Sequence, residues 1–317
     1  MIKPEYSVIN NAFKLLAKST ELSLGEYTSV TQSEADIEHY LKLHVGTFST
    51  VLYGAFSHKT ITSPLPGNII DMLVLFRADD IKHTYPSKIF TKLSRALIEK
   101  YQHASILEGR NILMLPVNDF YYKIRPAYPI ATHTYMLPDE KFNEWVKYDI
   151  HSQNDILLKE NVRHKGKLVE IIRIVKTWNR VSGNLFDAYY LELLVTEVLS
   201  GYEITSYAET LRYIFQAGVA KVVFQKYDPA NIEFQVEGLN DISDLISAMK
   251  LIKKSFYLAD EAVHLEQQGY TKKALLKWNK LFPQTFPTSI DIIVGQARND
   301  KIKGVEALKM LVAKNTN

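Results

Sequence analysis

The 317-residue sequence contains no cysteine. Disulfides, iron–sulfur clusters, thiolate zinc sites and cysteine nucleophiles are thereby excluded, and a reducing cytoplasm is the expected compartment. An excess of either charge is also missing: 38 Lys and Arg stand against 35 Asp and Glu, a net +3. That balance is too even to attract nucleic acid or a membrane surface by global electrostatics, so strong general nucleic-acid binding is not expected and any basic site must be local. No run of about 18 apolar residues is present to span a bilayer. The opening Met1-Ile2-Lys3-Pro4-Glu5-Tyr6 lacks the basic-then-apolar layout of a secretion signal. There is no Gly-x-x-x-x-Gly-Lys-Ser/Thr loop, Gly-x-Ser-x-Gly elbow or dinucleotide fingerprint, and His39 and His44 lack the zincin arrangement. What is present is 46% hydrophobic and 23% charged residues, the composition of a globular chain that buries a substantial core in two lobes.

Apolar spacing predicts a helix from Ser7 to Leu16 and, after the polar stretch Thr28 to Gln32, a second from Ser33 to His44. The first strong strand signal is Thr50-Val51-Leu52-Tyr53, closed by Gly54. A second, Ile69 to Phe76, reads as a buried strand with one carboxylate, Asp71, inside it. A helix from Pro86 to Tyr101 follows. Two further strands, Ile112 to Val117 and Phe120 to Pro126, flank the turn Asn118-Asp119. Beyond Asp139 the pattern becomes helical, most clearly over Lys165 to Asn179 and Ala188 to Leu199. A strand-like insert near 219–236 contains Val222-Val223-Phe224 and Ile232-Glu233-Phe234, joined at Tyr227-Asp228-Pro229. From Ile242 the chain is helical again, up to the polar tail Asn315-Thr316-Asn317. The expected class is α+β: a core with a small mixed sheet and N-terminal helices over 1–140, then a mainly helical lobe over 141–317.

The stretch Gly54-Ala55-Phe56-Ser57-His58-Lys59-Thr60, followed after a short loop by Ile69-Ile70-Asp71-Met72-Leu73-Val74-Leu75-Phe76, resembles the centre of the polymerase-β-like nucleotidyltransferase fold. More narrowly, it is similar to the bacterial cGAS/DncV-like nucleotidyltransferases, which make cyclic or short oligonucleotide signals in anti-phage defence. Later segments agree in order. Tyr122-Lys123-Ile124-Arg125-Pro126-Ala127 resembles the strand that usually reads Asp-x-x-Pro-Ala. The helix containing Arg173 and Lys176 resembles the one whose Lys reaches the triphosphate. Tyr189 to Leu194, Asp228-Pro229 and Ala274 to Pro287 resemble the remaining motifs.

The resemblance implies two divalent ions about 4 Å apart, one activating the attacking hydroxyl and one bridging phosphates. At an effective dielectric of about 20 such ions repel by on the order of 16 kcal/mol, so several carboxylates must offset them. By the family pattern the three carboxylate positions here are Ile69, Asp71 and Lys123, of which only Asp71 is an acid. An Ile offers no oxygen, and an ammonium in a metal's place adds repulsion. The phosphate cradle departs as well. Ala55 and Ala188 stand where serines are expected, while Gly54, Thr60 and Lys176 match.

The resemblance therefore implies a catalytically inactive member that binds a protein partner or a nucleotide-type ligand, with no cofactor. The alternative is an active nucleotidyltransferase, for which Mg²⁺ would be needed. The residues also have plainer readings. Asp71 would pair with Lys123 across neighbouring strands, Gly54 would end a strand, and Lys176 and Arg173 would lie on a solvated face. His58 would be an exposed loop residue, and Trp178, Trp278 and Phe282 would anchor the core. Asp79, Asp80 and Asp119 are the other nearby carboxylates, expected too far along the strands to replace the missing ligands.

Overall fold

A computed structural model of the chain describes residues 7–107, 111–139, 142–236, 238–239, 241–300 and 303. The elements in order are α1 (Val8–Ser19), α2 (Leu24–His44), β1 (Ser49–Tyr53), β2 (Ile69–Leu75), α3 (Ala78–Ile81), α4 (Pro86–Lys100), β3 (Ser105–Leu107), β4 (Ile112–Val117), β5 (Phe120–Ala131), β6 (Thr134–Pro138) and β7 (Trp145–Asp149). Then come α5 (Ile150–Arg163), α6 (Lys167–Val181), α7 (Ala188–Leu199), α8 (Tyr207–Lys221), β8 (Lys226–Asp228), β9 (Asn231–Val236), α9 (Ile242–Gln267) and α10 (Thr271–Leu281). The expected tail at 315–317 lies outside the described residues.

The architecture is α+β. One mixed sheet runs β1-β2-β5-β4-β3, and the long β5 continues into pairing with β6, which carries β7. Among the described residues, only β2 and β5 run parallel. Because side chains alternate along a strand, β2 splits its residues between two faces. Ile70, Met72 and Val74 pack with Val30, Ile37 and Leu41 of α2 and Leu93 and Leu97 of α4. Leu73 and Leu75 face the other way, with Tyr53, Ala127, Leu137 and Tyr148, and Asp71 lies on that second face.

The second core is helical and gathers α6 to α10. It also includes α1, whose Ile9, Phe13 and Leu16 are buried among Leu168, Trp178, Phe215 and Trp278. The N-terminal helix thus packs with the C-terminal helices rather than on the sheet. As expected, Trp178, Trp278 and Phe282 are core residues.

Several boundaries differ from the sequence reading. Helix α2 begins at Leu24, not Ser33, because Ser23 and Glu26 form a reciprocal cap: the Glu26 N–H donates to Ser23 Oγ, and the Ser23 N–H donates to Glu26 Oε2 at 2.8 Å. The expected strand at Val222–Phe224 is instead the end of α8 and the turn after it. Val222 caps the helix and is buried, with its carbonyl accepting from Tyr190 Oη at 3.0 Å, while Val223 and Phe224 point to solvent. The hairpin forms later, between β8 and β9. The helical pattern expected beyond Asp139 is preceded by β7, which the sequence reading missed together with β3 and β6.

Phe13 has no exposed surface and meets the rings of Trp278 and Phe286 edge-on at 4.8 Å. Phe13→Ala is expected to destabilise the chain by about 3–5 kcal/mol, read as a lower urea midpoint at unchanged slope.

Candidate functional site

The loop after β1 folds back on itself. Gly54 has φ +62°, and a Cβ there would lie 2.9 Å from Asp71 Oδ2. Glycine thus serves both the left-handed backbone and the close approach of a carboxylate. The Gly54 carbonyl accepts from the His58 N–H at 2.9 Å, and the Ala55 carbonyl accepts from the N–H groups of Thr60 and Ile61 at 2.9 and 3.0 Å. This turn sends His58 and Thr60 inward.

Both meet Glu192, a carboxylate in the otherwise apolar run of α7. Its Oε1 lies 2.5 Å from His58 Nδ1, and its Oε2 accepts from Thr60 Oγ1 at 2.5 Å and from Lys176 Nζ at 2.9 Å. Lys176 also donates to Thr60 Oγ1 at 3.2 Å. Side chains of His58, Lys176 and Glu192 are all nearly inaccessible to water. Burial pushes the Glu192 carboxyl up, but Lys176, His58 and Thr60 together outweigh it and hold the group at about 2. An ionised carboxylate only accepts, so His58 must carry its proton on Nδ1. Its Nε2 is buried without a hydrogen-bond partner among the described residues.

The remaining cations on this face of α6 are also engaged internally. Arg173 donates to the Lys59 carbonyl and to Glu21, both at 2.9 Å, and Arg180 donates to the Ser63 carbonyl at 3.0 Å. Positions 173, 176 and 180 share one side of the helix. That side is closed over the segment 59–64.

The sheet face beside this loop holds the other expected residues. Asp71 lies directly across from Tyr53 on β1 and Lys123 on β5, while Ile69 is opposite Tyr121 and Leu73 opposite Arg125. Lys123 Nζ is 4.0 Å from Asp71 Oδ1, and both side chains remain partly exposed. The cross-strand pairing expected from sequence is therefore present. Enclosure raises the Asp71 carboxyl above its ordinary value; Lys123, Arg125 and Lys176 oppose that rise, and Asp187 adds to it. Ile69 and Tyr121 are 48% and 42% exposed, so the strand ends present an apolar ledge next to the ion pair.

Beyond Tyr53, its ring meets Tyr148 edge-on at 6.1 Å. Tyr148 of β7 and Tyr189 of α7 donate to the two oxygens of Asp228 at 2.7 and 3.0 Å, tying the β8–β9 hairpin to the sheet and to α7. Burial, followed by the Asp228 charge, lifts the Tyr148 phenol well above its usual value.

The structure brings Gly54, Asp71 and Lys123 to one sheet face, with Ala55 in the adjoining loop, and turns Thr60 and Lys176 to Glu192. Ala188 is exposed at the start of α7, after the capping Asp187. Two expectations fail. His58 is buried rather than exposed, because the turn at Gly54 directs it at Glu192; Lys176 and Arg173 are buried rather than solvated. Asp79 faces solvent in an ion pair with Lys82, and Asp119 sits in the β4–β5 turn. Sequence reasoning missed Glu192 and Arg180 as participants. The available signal for Glu192 was its isolation as the only charge in the run 188–196.

Residues 8–161 match the family described as Second Messenger Oligonucleotide or Dinucleotide Synthetase domain. A probable cyclic nucleotide synthase of Bacillus cereus strain VD146 is 23% identical over 340 aligned residues, covering 92% of this chain and all of the relative. Among solved structures, Escherichia coli MS115-1 CdnC with ATP superposes with a TM-score of 0.66 at 15% identity, over 88% of this chain and 98% of that one. The same CdnC in complex with HORMA-deltaN gives 0.65 at 14%, with the same coverage. Vibrio cholerae DncV cyclic AMP-GMP synthase gives 0.60 at 12%, over 88% and 87% of the two chains.

Two outcomes are expected of the Glu192 centre. Its folded carboxyl titrates at about 2 against an ordinary 4.5, so its contribution is complete above 4.5, erodes as pH falls between these values, and is gone below them. Melting temperature against pH should therefore fall more steeply in this window for the parent protein than for Glu192→Gln. At neutral pH Glu192→Gln leaves Lys176 buried without its counter-charge and is expected to cost about 3–5 kcal/mol in chemical denaturation.

Proposed function

We propose that this chain is a cGAS/DncV-like nucleotidyltransferase, as the match over residues 8–161 and the resemblance to the Bacillus cereus relative support, and that it is a member in which synthesis is lost and binding is kept. The observation that carries this reading is Lys123 Nζ at 4.0 Å from Asp71 Oδ1. At the positions that the resemblance assigns to metal ligands stand one carboxylate, one ammonium and the hydrocarbon of Ile69. Such a set does not fit a pair of divalent cations: it adds a positive charge where negative charge is required. Among the described residues no cluster of three or more His, Asp or Glu side chains is placed to hold a metal. The buried engagement of Lys176 and the alanines at 55 and 188 further weaken the phosphate cradle.

Its work is then to bind a protein partner or a nucleotide-type ligand, in the cytoplasm and as part of anti-phage defence. CdnC, which shares the fold, has been captured with ATP and in complex with HORMA-deltaN, which supports both kinds of occupant here. No described helix is long and apolar enough to cross a membrane. A second reading is active, Mg²⁺-dependent synthesis of cyclic or linear oligonucleotides from nucleoside triphosphates. It is favoured by the name of the Bacillus cereus relative and by Asp187, whose charge is felt at Asp71.

Incubation with all four labelled ribonucleoside triphosphates and Mg²⁺ or Mn²⁺ is expected to yield no oligomeric or cyclic product. A product that disappears in Asp71→Ala would defeat the proposal.

A further inference from the structure

We propose that the outward face of α9 docks an acidic helical segment of a protein partner. Lys250, Lys253 and Lys254 meet its carboxylates, and Ile246 and Tyr257 meet an apolar residue at each of its ends. The inference rests on the reading that this chain binds a protein partner, and deepens it by naming the face and the partner's chemistry.

The near-neutral total charge conceals an uneven distribution. Residues 242–317 carry twelve Lys and Arg against seven Asp and Glu, whereas residues 1–241 carry twenty-six against twenty-eight. Part of that basic excess is gathered on α9, the longest described helix. Its inner side buries Ala248, Ile252, Ala259 and Val263 in the helical core. By helical periodicity, positions 246, 250, 253, 254 and 257 fall together on the opposite side, and all five side chains there are exposed.

The cations of α6 are engaged internally, and Lys277 of α10 pairs with Glu261 at 2.5 Å. Lys250, Lys253 and Lys254 make no ion pair or hydrogen bond among the described residues. Lys250 stands three and four residues from the other two, the spacings at which like charges on a helix repel. Carboxylates of an occupant would relieve that repulsion, so the face favours an anionic partner before any contact is optimised.

The length and the flanks of the stripe select the kind of anion. Ile246 and Tyr257 are 48% and 59% exposed, one on either side of the lysines. They are separated by roughly 16 Å along the helix axis. Acids bound the stripe: Asp244 precedes it in the first turn, and Asp260 and Glu261 follow it. A duplex would run its phosphates over those acids, and three cations give it only a weak, non-specific hold. Anionic bilayers are held by clusters of about four to eight basic residues, more than are present here. A helical segment of about three turns, with acids on its middle turns and an apolar residue at each end, matches the sign, the span and both flanks. Tyr257 supplies the large, partly polar ring that anchors such contacts.

The test is selection from a phage-displayed library of random peptides about 16 residues long, enough for more than three helical turns. It is run on the immobilised full chain and in parallel on Lys250→Glu/Lys254→Glu. Enriched peptides are expected to carry clustered acids flanked by apolar residues, and to be lost from the variant. Made as a free peptide, the best of them should bind the parent less well as salt is added. It should bind the double variant at least about tenfold more weakly, and Lys253→Glu more weakly by a smaller factor. Tyr257→Ala should weaken it with its salt dependence unchanged. All these positions are exposed, so melting temperatures equal to the parent's are expected throughout. An empty selection, enriched peptides without acids, or equal retention by the charge-reversed variant overturns the proposal. So does duplex DNA or a phosphatidylserine vesicle that binds the parent more tightly than the selected peptide and is lost from the same variant. Equal retention leaves partner binding standing at another face, whereas product in the synthesis assay defeats the loss of catalysis and leaves the selection result as it is.

Discussion

Glu192 is a carboxylate with almost no access to water, and its two oxygens are shared among His58, Thr60 and Lys176. An ionised group in such a place is tolerable only when its charge and its acceptor capacity are both met, since desolvation otherwise costs several kcal/mol. Here Lys176 meets the charge, and three donors meet the acceptor sites. The bond partners come from the loop after β1, from α6 and from α7. One buried interaction therefore joins the sheet, through its loop, to the helical core.

The same constraint explains why α6 does not present its basic face to solvent. Lys176 is drawn inward by Glu192, and Arg173 and Arg180, one turn before and one turn after it, reach the carbonyls of Lys59 and Ser63. These carbonyls belong to a loop that runs across the sheet ends and would otherwise leave acceptors unsatisfied. Cap and loop are tied in the same way at α2, where Glu26 accepts from the Leu65 N–H at 2.7 Å as well as from its own N-cap. The segment from 54 to 65 is thus held from both sides by side chains of three helices. The cations of α6 serve that attachment.

Much of this was legible in the residues. The run Ile69 to Phe76 could be read as a buried strand because its apolar residues leave a single acid, and the pairing of Asp71 with Lys123 follows once the two strands are neighbours in parallel register. Helix α7 was read with its observed ends from its apolar pattern, and the structure shows Asp187 capping it. The start of α2 was obscured by the polar residues after Ser23, whose signal lies in the spacing to Glu26 rather than in hydrophobic periodicity. Val222-Val223-Phe224 misled for the opposite reason: β-branched and aromatic residues favour strands, yet the tertiary bond from Tyr190 ends a helix there. The burial of His58 and Lys176 could not be read locally, because it depends on an acid more than a dozen residues away from either in sequence.

The two faces of the sheet carry different burdens, and Ile69 and Lys123 lie on the one that does not pack against α2 and α4. Stability of the sheet lobe is concentrated on the face that packs α2 and α4, where Ile70, Met72, Val74, Leu113 and Ile124 are wholly buried. Each of these alternates in sequence with a residue of the opposite face, so Ile69, Asp71, Lys123 and Arg125 can vary in charge without disturbing that packing. Fold and chemistry are separable at the level of a single strand here. What the second face cannot vary freely is Gly54, since its absent side chain is the space into which the Asp71 carboxylate fits. As long as an acid remains at position 71, glycine at 54 is required by contact as well as by backbone angle.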